Sequence, residues 1–275
     1  MRKYIILSLM CATLLTHAQG ISTSSSEYVR TDVPENALHQ ARLLFHEGNY
    51  DMAEIMLRKI AETSTTSVQQ REVAMLLTLI AYHRDAETAG ETIERYLYTY
   101  PAAPDVNHMR ALALLSDYAK EDYAKVIVDM QQVDPDQLSD DERDDVILAY
   151  ALSLMQEDCY DDAAAQWRIL DIVSDKYDDE VTFYTAYIDF RNRKFDSAQA
   201  GMEAMRDKAH YHRQACRYLA EIALETKEYA KAESLAVAYM EEYGVTEPVT
   251  ELKRIQGEAL YAQERYLRAA IVLEE

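Results

Sequence analysis

One short pattern returns along this chain at a nearly fixed interval, and that recurrence limits the fold more than any other feature. The stretch EGNYDMAEIML at 47–57 sets an aromatic behind a turn pair, an alanine three residues on and a leucine four beyond that. It comes back as EDYAKVI at 121–127, DCYDDAA at 158–164, RKFDSAQ at 193–199, KEYAKAE at 227–233 and ERYLRAA at 264–270. The aromatic anchors are Tyr50, Tyr123, Tyr160, Phe195, Tyr229 and Tyr266; from Tyr123 on they stand 37, 35, 34 and 37 residues apart. The gap of 73 between Tyr50 and Tyr123 is two periods, with a degenerate copy midway in which Ala86 takes the aromatic's place. Recurrence at this spacing means that one supersecondary unit is built seven times and stacked on itself.

Counting from each anchor, position +3 holds Ala53, Ala89, Val126, Ala163, Ala198, Ala232 or Ala269, and position +7 holds Leu57, Ile93, Met130, Trp167, Met202, Ala236 or Leu273. Anchor, +3 and +7 share one helix face, where the small residue lets a neighbouring helix approach and the larger ones fill the space beside it. Nine residues before the anchor stands Ala41, Leu77, Leu114, Ala151, Ala186, Ala220 or Gly257, inside an earlier apolar-periodic run. Each period is therefore two helices joined by a tight polar turn, a helical hairpin. With 6 Gly and 5 Pro among 275 residues, turn-makers are too few for an all-β chain of many hairpins.

Gly48-Asn49-Tyr50 with Ala53 and Leu57, and Ala89, Ile93, Tyr96 and Pro101, resemble the tetratricopeptide repeat, the remaining copies adding the same phase over residues 34–275. The family's early-helix tryptophan is absent, the single Trp167 falls in a second helix, and the terminal proline survives only at Pro101. The resemblance implies an all-α, right-handed α-solenoid of about seven hairpins, the last one truncated. The segment RYLYTYPAAP at 95–104 also resembles helix ends of envelope tetratricopeptide proteins, such as outer-membrane assembly lipoproteins and cell-division coordinators. The layout is similar to exported repeat proteins of Gram-negative bacteria, Bacteroidota in particular.

The first residues support export. Arg2 and Lys3, an apolar run from Tyr4 to Leu15 and the small-residue segment Thr16-His17-Ala18 read as a secretory signal peptide cleaved after Ala18. The run is shorter than the ~20 residues that span a bilayer, so no membrane span is expected once it is removed. Residues 19–33, rich in Ser and Thr, read as a flexible mature N-terminus, and Pro34 opens the solenoid. The expected location is the periplasm or the outer membrane of a Gram-negative envelope. A formal charge of -21 repels nucleic acid and anionic lipid, leaving a partner that is neutral or basic where it touches.

No HExxH, GxSxG, phosphate-binding glycine loop or paired CxxC occurs, so the expectation is a chain without catalytic residues, metal or cofactor. His39 and His46 lie two helical turns apart, ~10 Å, too far for one ion. His212 and Cys216, at i and i+4, could clasp a soft metal but lack a fourth ligand; the plainer reading is a helix start beside a buried thiol. The acidic loop VDPDQLSDDERDD at 133–145 lacks EF-hand spacing, and Ser139 with Glu142 fits a capping box instead. Cys159 and Cys216 sit in hairpins two apart, too far for a disulfide, and are expected to stay free.

The resemblance implies that first helices line a concave groove that takes a protein or peptide. Its geometry points inward Leu38, Arg42 and Phe45; Thr78 and Tyr82; Leu115 and Tyr118; Leu148 and Leu152; Phe183, Tyr187, Phe190 and Arg191; Arg217, Glu221 and Glu225. The aromatic fifth copy, with Phe183, Tyr187 and Phe190, is the leading contact candidate. The resulting function is an adaptor or scaffold. Rival readings are the periplasmic sensory part of a membrane-bound regulator and, less favoured, an enzyme or nutrient-capture subunit. The seventh copy ends some ten residues into its second helix without a polar capping helix, which predicts a longer array or protein.

Overall fold

A computed structural model describes residues 34–63, 66–243 and 248–274. The expected signal peptide, its cleavage point and the Ser/Thr-rich segment lie outside these. The described residues form seven helix pairs: α1 (Pro34–His46) with α2 (Tyr50–Thr63), α3 (Ser67–Arg84) with α4 (Gly90–Thr99), and α5 (Val106–Ala119) with α6 (Tyr123–Asp129). Then come α7 (Asp140–Gln156) with α8 (Tyr160–Val173), α9 (Asp178–Arg191) with α10 (Phe195–Met205), α11 (His212–Glu225) with α12 (Tyr229–Tyr243), and α13 (Pro248–Ala262) with α14 (Tyr266–Glu274). Two single 3-10 turns, Met130–Gln132 and Pro135–Gln137, join the third pair to the fourth.

All six aromatic anchors are the first residue of a second helix. The backbone shows why the turn before them is so uniform. Two residues ahead of each anchor the chain adopts a left-handed conformation, at Gly48, Glu121, Asp158, Arg193, Lys227 and Glu264, with φ between 59° and 74°. The next amide reaches back five residues in every case: Asn49 to Leu44, Asp122 to Asp117, Cys159 to Leu154, Lys194 to Asp189, Glu228 to Ala223 and Arg265 to Leu260. This is the Schellman closure, which satisfies the last carbonyls of the first helix and reverses the chain within three residues.

The second copy departs from this plan. No left-handed residue occurs in its turn, residues 86–89 form turns, and α4 starts at Gly90 instead of at Ala86. At the position nine before the anchor Thr78, not Leu77, is buried. Thr78 thus stands 11 residues before Ala89 where the other copies have 12, although residues 85–89 between α3 and α4 make a longer connection than the three residues of the other hairpins. The sequence expectation of Thr78 as a groove residue is corrected accordingly: its hydroxyl donates to the Ala74 carbonyl from a buried site.

Core positions follow the pattern. Every +3 residue is at most 2% exposed, and Leu57, Ile93, Trp167, Met202 and Ala236 at +7 are fully buried. Burying a side chain of Leu or Trp size contributes about 2 kcal/mol, so the repeated pair is the main adhesive of each hairpin. Two +7 residues differ: Met130 lies in a 3-10 turn and is half-buried, and Leu273 is 54% exposed. The anchors themselves are half-buried lids rather than core, and Tyr266 is 55% exposed.

The described chain divides into two compact units, one reaching to Ile188 and the other beginning at Asp189, with the division inside α9. In the first, ion pairs tie residues one repeat apart: Arg42 to Glu72, Arg84 to Glu54 and Asp51, Lys125 to Glu94, and Lys176 to Asp145. In the second the same register joins Arg193 to Glu225, Arg254 to Glu221 and Arg265 to Glu233. Stability in such a chain is a sum of hairpins and nearest-neighbour interfaces.

Candidate functional site

With the one-residue register shift of the second copy allowed for, five of the seven first helices carry an aromatic at position −5: Phe45, Tyr82, Tyr118, Phe190 and Tyr261. Four of them pack on their own anchor, Phe45 on Tyr50 at 5.6 Å, Tyr118 on Tyr123 at 5.9 Å, Phe190 on Phe195 at 6.2 Å and Tyr261 on Tyr266 at 5.2 Å. An anchor can also reach the next hairpin. Tyr50 stacks parallel on His83 at 5.2 Å, and Tyr160 meets Tyr187 at 6.1 Å. The aromatic line is thus a hinge between hairpins with one edge left on the surface.

In the unit ending at Ile188 the first helices carry the half-buried Tyr82 and Tyr118. Burial, then the carboxylates of Asp145 and Glu142 two hairpins on, push the Tyr82 phenol up to about 12. Burial likewise raises the Tyr118 phenol, with Tyr123 and then Tyr184 adding to it. Asp145 is a polar hub: the Tyr177 hydroxyl donates to it and the Lys176 ammonium lies 2.6 Å away. Burial first, then the bond to Asp145, raises the Tyr177 pKa. His108 pairs with Glu142, whose pKa is lowered by Ser139 and His108 although burial opposes it.

Of the candidate contact residues, Phe183 is 6% exposed, edge-on to Tyr184, which stacks on Trp167 at 4.9 Å. Tyr187 is half-buried on α9, and Leu148 and Leu152 on α7 are 3% and 4% exposed. In the unit from Asp189 on, Phe190 packs on Tyr218 at 5.3 Å while Arg191 is exposed. Here the face is charged rather than aromatic. Arg217 lies 4.0 Å over the Tyr218 ring, and Arg254 bridges Glu221 at 2.7 Å, Glu258 at 2.9 Å and Glu251 at 3.1 Å.

His212 and Cys216 do come together, with Nδ1 3.9 Å from the thiol. Both ring nitrogens are already engaged, Nδ1 with the Arg206 carbonyl and Nε2 with Glu242 at 2.8 Å. A carbonyl at Nδ1 and a carboxylate at Nε2 both favour the protonated ring, and together they raise its pKa. The acidic loop is similarly occupied. Asn107 clasps the Asp134 backbone with two 2.8 Å bonds, and the Asp134 carboxylate accepts from Asp136 and Gln137. Ser139 and Glu142 form the expected capping box. Cys159 is exposed and Cys216 buried, and neither forms a disulfide.

No protein-family model and no curated protein matches this sequence. Solved structures do. A Pseudomonas aeruginosa protein, pilF, is similar with a TM-score of 0.55 and 15% identity, over 82% of this chain and 97% of its own. A tetratricopeptide repeat protein from Parabacteroides merdae is similar with a TM-score of 0.51 and 14% identity, over 87% of this chain and 90% of its own. Identity this low speaks only for architecture, and the architecture agrees with seven phased hairpins. The chain has the tetratricopeptide fold, an all-α solenoid of helical hairpins.

Proposed function

We propose that this chain is a non-catalytic scaffold of a bacterial cell envelope, holding a protein or peptide partner on the face made by its first helices. The observation that carries the reading is a contrast between positions. At +3 the copies are nearly all alanine, whereas at −8, on the first-helix face, they hold Arg42, Leu79, Leu115, Leu152, Tyr187, Glu221 and Glu258. Packing fixes the former; at the latter Leu152 is buried and Leu79 and Leu115 rest on core clusters, whereas Arg42 and Glu258 are exposed and Tyr187 and Glu221 half-buried, so packing constrains those four less. The net charge of -21 favours a partner that is neutral or basic at the contact. The signal-like residues 1–18 support export, and the reading calls for no cofactor.

The test is capture from envelope extracts by three proteins: the full chain, Leu115→Ala with Tyr187→Ala, and a second-helix control, Tyr98→Ala with Ile172→Ala, at positions 89% and 81% exposed. The proposal expects the chain and the control to retain the same partner, and the first-helix variant to lose it by about tenfold or more. Equal capture by all three, or loss in the control alone, would remove the first-helix face from consideration.

A further inference from the structure

Arg217 and Arg254 share one register, twelve residues before the anchors Tyr229 and Tyr266, on α11 and α13. Their surroundings differ. Arg254 is bonded by Glu221 at 2.7 Å, Glu258 at 2.9 Å and Glu251 at 3.1 Å. Arg217 is half-buried on the same face, and among the described residues no carboxylate stands within ion-pair distance of it. The two acids that follow it on α11 are engaged elsewhere. Glu221, at the i+4 position where an ion pair would ordinarily form, is held by Arg254, and Glu225 pairs with Arg193 at 3.2 Å. In the register of Glu221 one copy earlier the sequence has Tyr187, which brings no charge.

The Arg217 side chain is nevertheless held in place. Its guanidinium carbon lies 4.0 Å from the centre of the Tyr218 ring, and that ring is 6% exposed and packs on Phe190 at 5.3 Å. A guanidinium laid on a fixed ring has given up most of its rotamer freedom before any ligand arrives, and its five donors lie in one plane.

We propose that the partner of the first-helix face sets an acidic side chain, Asp or Glu, against Arg217, its carboxylate taking the planar guanidinium in a two-bond pair. This deepens the scaffold reading and rests on it. The net charge of -21 restricts the ligand to one carboxylate, because repulsion grows with the charge of the ligand. A phosphate dianion or an acidic run is disfavoured on that ground; a single acid within a neutral or basic segment is not. A chain-terminal carboxylate is captured by several converging donors, whereas the side chains that follow Arg217 on this face, Glu221 and Glu225, are acceptors.

The contrast with Arg254 supplies an internal control. In the full chain with isotope-labelled arginine, the two Nε–H signals are assigned by Arg217→Lys and Arg254→Lys, and the chain is titrated with glutamate capped at both ends or with its capped glutamine counterpart. The expected result is a saturable shift of the Arg217 signal with capped glutamate, about fivefold or more larger than with capped glutamine, while Arg254 stays in place. Equal movement of both arginines, equal movement with both probes, or none would overturn the proposal. In cells, the adduct crosslinked from Leu115 should fall about tenfold with Arg217→Gln and further with Arg217→Glu. Arg217→Lys, which keeps the charge but not the planar fork, should fall between the unaltered chain and Arg217→Gln. An acid-to-arginine change in the crosslinked partner should restore the adduct to Arg217→Glu. An adduct indifferent to Arg217, or one that no such change restores, leaves the docking face standing and overturns this inference; absence of any adduct overturns both.

Discussion

At the residue scale the turn before each anchor carries the largest unexpected cost. A left-handed conformation is uphill by roughly 1–2 kcal/mol for a residue with a side chain, and glycine avoids this at an entropic cost of about 0.5–1 kcal/mol. Lys227→Gly and Glu264→Gly, both at exposed left-handed positions, should therefore each stabilise the protein by up to about 1 kcal/mol in denaturant titration. Gly48→Ala should destabilise by about 1 kcal/mol through backbone strain, because a Cβ there meets nothing within 4 Å. Only Gly48 announces such a turn by residue type; Glu121, Asp158, Arg193, Lys227 and Glu264 do so only through their phase with the anchors.

Two histidines respond to pH with opposite signs. The Arg206 carbonyl first, and then Glu242, hold His212 above its ordinary pKa against the pull of burial. Its contribution to stability is present below about 6.5, the unfolded value, and is lost as pH rises through the folded pKa. His83 is lowered by desolvation against the Tyr50 and Phe45 rings and then by His108. Stability linked to it falls as pH drops through about 6.5 toward the folded value. Proton NMR titration should give a midpoint above the free-histidine value for His212 and below it for His83; the reverse order would contradict both environments.

At the element scale, the small residue at +3 and the large one at +7 set the distance between helices. Ala163→Leu should cost about 1–3 kcal/mol by overpacking a fully buried site, and Leu57→Ala about 3 kcal/mol by leaving a cavity. Gly257→Ala is the instructive contrast: an added Cβ would come within 2.5 Å of Leu273. Since Leu273 is 54% exposed and can swing away, the expected cost is under about 1 kcal/mol. Thermal or chemical unfolding should find Gly257→Ala the best tolerated, Ala163→Leu next and Leu57→Ala the least. Helix existence and hairpin pairing were readable from period and phase alone. The second copy was misread because its buried positions Thr78 and Ala89 stand one residue closer than their counterparts and no aromatic marks the start of α4.

At the scale of the whole molecule, the fold is far more legible than the site. Packing recurs seven times, so noise in one copy is corrected by the others, but a binding face is written once and must be read from what does not recur. The candidate aromatics divide on this point. Phe45, Tyr82, Tyr118 and Phe190 occupy one repeated hinge position, which sequence spacing contained but the shifted second copy concealed. Phe183 is a core residue beside Tyr184, whereas Tyr187 and Arg191 belong to the variable part of the face. The burial that raises the Tyr82 phenol depends on how the neighbouring hairpins pack, and no local sequence signal encodes that.

The central claim is that repeated positions hold the fold and that the variable first-helix positions hold the partner. Site-specific photo-crosslinking in living cells tests it most directly, with a photoreactive residue placed in turn at Leu115 and Tyr187 on first helices and at Tyr98 and Ile172 on second helices. The account predicts one discrete adduct from the first two positions and none from the others. Adducts confined to Tyr98 and Ile172 would contradict it.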